Sequence, residues 1–254
     1  MIQSLDLWAN ANRWHDRVVE NGVAAGGWLL MAMLLPPFPG ALIVFFIAMT
    51  TATVGAGVPG RVVAGAMAVP CVFLAVGVLP LLWSVHPSPD TGLVVEFSRA
   101  GLATAVATGL RSLGATSALI FLCVTTPLSA QMGLLRQWHV PDFLLDIMSL
   151  TYRLIFLFDD VLERRITAQA GRLGYRDFRT GFRSVSLVVA SLFVHTLARA
   201  QAMERGLAGR GYDGTLRVLD RSPRQPQTHR LVGIVTLQGL VVVFSLAWEV
   251  FFRG

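Results

Sequence analysis

The sequence predicts an all-α membrane protein, with about five transmembrane helices plus a cytoplasmic coupling region of amphipathic helices. Three observations carry this. The 254 residues are 54% hydrophobic and 14% charged, with a mean hydropathy of +0.61, too apolar for an ordinary water-soluble domain. Several uncharged stretches approach the roughly 20 residues that cross a bilayer as a helix. Charge is also segregated: residues 127–230 carry 15 of the 21 basic residues and 9 of the 15 acidic ones. A basic block of this kind belongs on the cytoplasmic side of a membrane protein. The chain therefore divides into a membrane domain with the first four spans (1–126), cytoplasmic coupling helices (127–230) and a last transmembrane helix (231–254).

Residues 1–20 are a polar lead-in holding Asp6, Arg13, Asp16, Arg17 and Glu20, so no cleavable signal peptide is expected. Trp8 and Trp14 suit either the membrane interface or packing against the coupling region. Residues 21–60 carry no charge and are broken by Pro36-Pro37-Phe38-Pro39-Gly40, which predicts two short helices over 21–35 and 40–56. Arg61, with Arg13 and Arg17, sets the N-terminus and this turn inside. A third span covers 62–84, with Pro70 and Pro80 inside it. The loop His86-Pro87-Ser88-Pro89-Asp90 has no arginine and should face outward. The fourth helix, 101–126, places Arg111 within the bilayer region, where it either snorkels or meets a group in the bundle or on a partner membrane protein.

Pro127 ends that helix, 128–139 form a short one, and His139-Val140-Pro141 breaks it, with Asp142 as the candidate N-cap of the next. From there Phe143, Ile147, Leu150, Leu154, Phe158, Val161 and Leu162 fall at helical spacing, with charged residues at other positions. This predicts an amphipathic helix running to about Arg172 rather than a span. After the linker Gly174–Asp177, a second long helix covers 180–210. Its uncharged interval between Arg183 and Arg199 is 15 residues, short of a span, so it is read as buried against the first long helix and the membrane face; an extra span is the competing reading. Residues 213–230 form a polar loop, and the last span is 231–252. Five spans from an inside N-terminus put the C-terminus outside.

The two long helices end in near-copies of one phrase: Ala170-Gly171-Arg172-Leu173-Gly174-Tyr175 and Ala208-Gly209-Arg210-Gly211-Tyr212-Asp213. Helices commonly stop at a glycine in the left-handed conformation, and an arginine in the last turn meets the negative end of the helix dipole. Each phrase thus reads as a helix C-terminus presenting one guanidinium. One copy alone would be ordinary capping chemistry; two suggest matched plugs for a two-fold or duplicated partner.

The run from Arg199 to Gly214, with Leu150-Thr151-Tyr152-Arg153 and the Thr125-Thr126-Pro127 turn, resembles the transmembrane T component of energy-coupling factor transporters, of the CbiQ type. The resemblance spans roughly residues 90–214. It implies two Ala-Arg-Gly motifs that end two coupling helices and dock into ATPase subunits, carried here by Ala170, Gly171, Arg172 and Gly174, and by Ala208, Gly209, Arg210 and Gly211. The first copy departs from the family form, because Leu173 separates Arg172 from Gly174 and Gly171 precedes the arginine. The implied partners are two ATPase subunits (or a homodimer) on the cytoplasmic side and a substrate-binding S component in the bacterial inner membrane. ATP would sit on the ATPase subunits, with no cofactor on this chain. The implied cargo is cobalt first, then nickel or a vitamin.

The residues also exclude chemistry. Every basic residue is arginine, so neither a P-loop lysine nor a Schiff-base amine exists. Cys71 and Cys123 lie in apolar runs and read as small buried hydrophobes. His15, His86, His139, His195 and His229 form no metal-ligand spacing. His86 reads as polar surface, and His195 as a hydrogen-bonded packing residue. Asp159 and Asp160 are adjacent on a helix and point about 100° apart, so they do not share a substrate. The net charge of +6 sits in the coupling block and is not a nucleic-acid signal. An intramembrane enzyme, the competing class, needs converging polar groups that these spans nearly lack, and a self-sufficient carrier would have only Arg111. No catalytic residue and no metal ligand is assigned.

Overall fold

The computed structural model describes residues 2–88, 92–211 and 226–253. Among these, the chain forms helices α1 (Ile2–Ala11), α2 (Val18–Leu34), α3 (Leu42–Thr50), α4 (Gly60–Val78), α5 (Arg99–Thr125), α6 (Leu128–Gln137), α7 (Asp142–Gly171), α8 (Phe178–Ala208) and α9 (Thr228–Arg253). A two-stranded ribbon, β1 (Trp83–Ser88) and β2 (Gly92–Phe97), precedes α5. The chain divides into two compact units, Met1–Leu134 with Ser222–Gly254, and Leu135–Arg221.

In the first unit α5 is the central helix, packed by α1, α2, α3 and α4. Its core holds Trp28, Val44, Phe121 and Val124, all nearly inaccessible, with the Trp28 and Phe121 rings edge-to-face at 4.8 Å. Small residues set the closeness of this packing. A Cβ on Gly114 would meet the Ala41 carbonyl oxygen at 2.9 Å, so only glycine lets α5 approach the backbone there. The proline-rich break ends α2 at Leu34, and a kinked segment, Pro37–Ala41, in which Phe38 is extended (φ −121°, ψ 127°), leads directly into α3. Pro70 is accommodated inside α4, whereas Pro80 lies in a separate 3₁₀ turn, Leu79–Leu82. The third helix is therefore shorter than the hydropathy run.

Among the described residues, five helical runs have the length and composition to cross a membrane: Pro37–Gly55, Gly60–Leu82, Gly101–Thr125, Phe178–Ala208 and Thr228–Phe251. The number agrees with the sequence; the membership differs. Val18–Leu34 is 17 residues, about 25 Å of helix, and falls short of the ~30 Å hydrocarbon core unless the bilayer thins. Phe178–Ala208, read as a coupling helix, has a sufficiently apolar stretch by the same measure.

Two local findings correct the sequence reading. Part of the loop placed at His86–Asp90 is strand: β1 and β2 pair antiparallel, with Val85 opposite Val95 and Trp83 opposite Phe97, while Pro89 and Asp90 fall outside the described residues. Two short apolar runs, each with β-branched or aromatic residues, on either side of a Pro-, Asp- and Gly-containing cluster are a hairpin signal that hydropathy alone does not reveal. The polar lead-in is also tied into the bundle. Buried Asn12 donates through Nδ2 to the carbonyl oxygens of Val124 (3.1 Å) and Thr125 (3.0 Å), and buried Asn21 donates to Thr126 Oγ1 (3.1 Å). Trp14 packs edge-to-face on Phe121 at 6.4 Å, so it packs within this unit.

In the second unit α7 and α8, of 30 and 31 residues, form a helical hairpin. Asp142 is not the N-cap of α7; Pro141 occupies that position, and the Asp142 carboxylate lies 3.4 Å from Arg136 Nε. Pro at this boundary already fixes the backbone that a side-chain cap would organise.

Candidate coupling surface

The two phrase-bearing helix ends have the same local backbone. In the first, Leu173 takes the left-handed conformation (φ +56°) and its N–H donates to the Ala170 carbonyl at 3.0 Å. In the second, Gly211 takes it (φ +69°) and its N–H donates to the Ala208 carbonyl at 3.1 Å. The copies therefore align without a gap: Ala170 on Ala208, Gly171 on Gly209, Arg172 on Arg210 and Leu173 on Gly211. The left-handed residue follows the arginine in both. The expectation that a glycine fills it holds for the second copy and fails for the first, where Leu173 fills it.

That difference has a cost. A left-handed L-residue is disfavoured by about 1–2 kcal/mol, and Leu173 is 69% exposed, so no burial offsets it there. The surrounding hydrogen bonds hold it in place. Gly174 N–H reaches back to the Gln169 carbonyl at 2.9 Å, completing the paired C-terminal bonds of a Schellman motif. Ser184, buried on α8, donates to the Gly174 carbonyl at 2.8 Å and pins the turn to the next helix. A Cβ on Gly174 would meet that same Ser184 Oγ at 2.5 Å and the Gln169 oxygen at 2.8 Å. The start of α8 is closed by Asp177, whose N–H donates to Thr180 Oγ1 (3.0 Å) while the Thr180 hydroxyl donates back to the Asp177 carbonyl (2.9 Å).

Arg172 and Arg210 are both exposed, and among the described residues neither guanidinium has an ion-pair partner. Ala170, Gly171, Ala208, Gly209 and Gly211 are exposed as well, and Gly174 is half-buried. The two ends do not form one site. Ser184 is bonded to the first end, and from there α8 continues for 24 residues (208 − 184) to Ala208. At 1.5 Å per residue this is about 36 Å of helix between the two ends. The arrangement offers two separate cationic contacts, each at the negative end of a helix dipole.

The remaining sequence candidates are dispersed. Arg111 is exposed on α5, and Asp159 and Asp160 are exposed on α7. His195 is exposed on α8 and is not a packing residue. Cys123 is exposed and Cys71 half-buried, so the reading of both as buried hydrophobes is corrected. Among the described residues no group of three or more His, Cys, Asp or Glu side chains converges as a metal site.

Comparison with known proteins is decisive at this point. Residues 11–219, which contain both helix ends, match the CbiQ family, described as cobalt transport protein. The chain belongs to this family. The cobalt transport protein CbiQ of Rhodobacter capsulatus is 36% identical over 243 residues, covering 95% of the chain and 97% of the relative. CbiQ of Salmonella typhimurium is 33% identical over 156 residues, 58% of the chain and 69% of the relative. An uncharacterised protein of Methanocaldococcus jannaschii is 27% identical over 199 residues, 75% and 73% of the two chains. With its five span-length apolar helices, this member of the CbiQ family is a multi-pass membrane protein of a transport family.

Leu173 and Ser184 are the residues of this surface that sequence reasoning missed. An ungapped alignment of the two phrases puts Leu173 opposite Gly211 and could have found the first. No local pattern marks Ser184, whose partner lies ten residues away across a turn.

Proposed function

We propose that this chain is the transmembrane scaffold, or T component, of an energy-coupling factor importer in the bacterial cytoplasmic membrane. It couples ATP hydrolysis by two separate ATPase subunits, or a homodimer of one, to a substrate-binding S component. One observation carries the reading. Two helix ends with the same turn geometry each expose an arginine that has no ion-pair partner among the described residues, with about 36 Å of helix between them. The absence of lysine from the chain leaves nucleotide chemistry to the partners. Cobalt is the proposed cargo, on the family description and the two CbiQ relatives. Metal capture falls to the S component, and nickel or a vitamin is the alternative cargo.

The mechanism is mechanical. ATP binding draws the ATPase subunits together, and the docked ends of α7 and α8 move with them. Continuous helices of 30 and 31 residues transmit that displacement to the membrane helices and reorient the S component. The step requires the docked ends to bind the two ATPase states unequally.

Membrane topology tests the reading. If α8 crosses the bilayer, its two ends lie on opposite faces and cannot both meet cytoplasmic ATPases. The 15 uncharged residues between Arg183 and Arg199 cover only about 22 Å, which favours a helix on the cytoplasmic side. In a chain whose two cysteines are replaced by alanine, Tyr175→Cys and Thr215→Cys should both resist an impermeant thiol reagent until the membrane is opened. Ser88→Cys should react from outside. Labelling of Tyr175→Cys and Thr215→Cys from opposite sides rules the proposal out.

A further inference from the structure

Between the starts of α2 and α9 lies a cavity of about 280 Å³ whose lining changes from charged, with Arg17, Arg230 and Glu20, to apolar. The two helices begin at the same level, because the buried Glu20 carboxylate of α2 accepts the Gln227 N–H just before α9 at 3.2 Å. At this level stand Arg17, its guanidinium 5.2 Å from the centre of the Trp14 ring, and Arg230 in the first turn of α9. One oxygen of the Glu20 carboxylate accepts the backbone amide, so two guanidiniums stand at this level against one carboxylate, and among the described residues the Arg230 guanidinium has no ion-pair partner. Farther along, the wall is apolar: Trp28, Phe121 and Leu237. From Arg230 to Leu237 is seven residues, about 10 Å along α9, the depth from a lipid phosphate to the first acyl methylenes. Below this, Gln238 Nε2 donates to the Val23 and Ala24 carbonyls at 3.2 and 3.3 Å and joins the two helices. Gly233 and Leu237 line the cavity and are both exposed on α9, and a Cβ at Gly233 would meet nothing within 4 Å.

We propose that this cavity binds the headgroup of an anionic membrane phospholipid, with Arg17 and Arg230 on the phosphate. The first acyl methylenes then pack on Ile234 and Leu237, and the chains leave past Gly233 into the bilayer. Guanidinium forks match phosphate oxygens, and basic pockets between membrane helices at the cytoplasmic face suit anionic headgroups. The volume holds a headgroup and the start of the chains, which is why the chains must exit at the exposed side.

Native mass spectrometry of the full-length protein, delipidated in detergent and titrated with phosphatidylglycerol, tests this. One lipid should bind to the wild type ahead of all others. Arg230→Gln should weaken that binding about tenfold, the loss of one charge-assisted contact. Gly233→Trp, which plugs the exit without altering charge, should weaken it at least as much. Arg61→Gln, which removes a charge outside the cavity, should leave it unchanged. Equal lipid binding by wild type, Arg230→Gln and Gly233→Trp would overturn the assignment. So would equal weakening by Arg61→Gln, or a wild type that binds inorganic phosphate at millimolar concentration while showing no first-lipid preference.

Discussion

The two long helices of the second unit end in the same three residues and differ in the fourth. After Ala-Gly-Arg, α8 places Gly211 in the left-handed position, where no side chain opposes it; α7 places Leu173 there. Among the described residues, the second end has glycine in the left-handed position and presents a guanidinium. The first is strained, pinned by Ser184, and presents an arginine beside an exposed leucine. An exposed apolar side chain held at a cost of about 1–2 kcal/mol is better explained by a partner surface than by the stability of the free protein. If the two ends meet identical ATPase grooves, they load them unequally: one with a charge beside leucine, the other with a charge beside glycine.

The largest effect should come from removing both charges. Arg172→Ala with Arg210→Ala should weaken ATPase association by on the order of 2–5 kcal/mol per partly buried pair and abolish uptake, while the chain still inserts and folds. Ordinary capping would lose only about 0.3–1 kcal/mol per end, and the complex would survive pull-down. Arg→Lys should rescue in part, since lysine lacks the planar fork. Of the single variants, Arg210→Ala should do more damage, because no leucine remains beside it.

Next comes the turn itself. Gly174→Ala forces a methyl group against Ser184 and the Gln169 carbonyl, and should cost about 1–3 kcal/mol, read as a lower thermal midpoint in detergent. Gly209→Ala, whose nearest non-local atom is the Arg205 oxygen at 3.5 Å, should shift the midpoint hardly at all. Equal effects at the two glycines would mean that the ends are more alike than their contacts indicate.

The left-handed position separates stability from docking. Gly211→Ala should destabilise by about 1–2 kcal/mol. Leu173→Gly should raise the thermal midpoint, by up to about 1 kcal/mol, yet reduce ATPase retention. A Leu173→Gly protein that is both more stable and fully coupled would remove the leucine from the docking surface. The smallest change belongs to Ser184→Ala, which deletes one hydrogen bond to the Gly174 carbonyl, about 0.5–1.5 kcal/mol, with no effect expected at the α8 end.

Much of this was readable in advance. Hydropathy and charge segregation located the apolar helices, the basic block and both arginine-bearing ends, because each depends on residues close together in the chain. What was not readable depended on distance or on backbone context. The sequence did not separate Leu173 from an ordinary interruption of the motif, and it offered His195 as a packing residue when α8 turns it outward. Periodicity reports which residues share a face but not which face meets protein. In a membrane protein both faces are apolar, so the usual contrast between core and surface is lost.

By itself the sequence determined the membrane setting, the two long helices α7 and α8 and the placing of an arginine at the end of each. These follow from composition, spacing and helix-end chemistry, all short-range. The tertiary structure alone decided how Asn12 closes on Val124, 112 residues away, and how Asn21 closes on Thr126, 105 residues away. It also decided which residue of the first phrase turns left-handed, and where two arginines from opposite ends of the chain line one cavity. No local pattern encodes such meetings, since a hydrogen-bond donor specifies the chemistry of its partner but not its position along the chain.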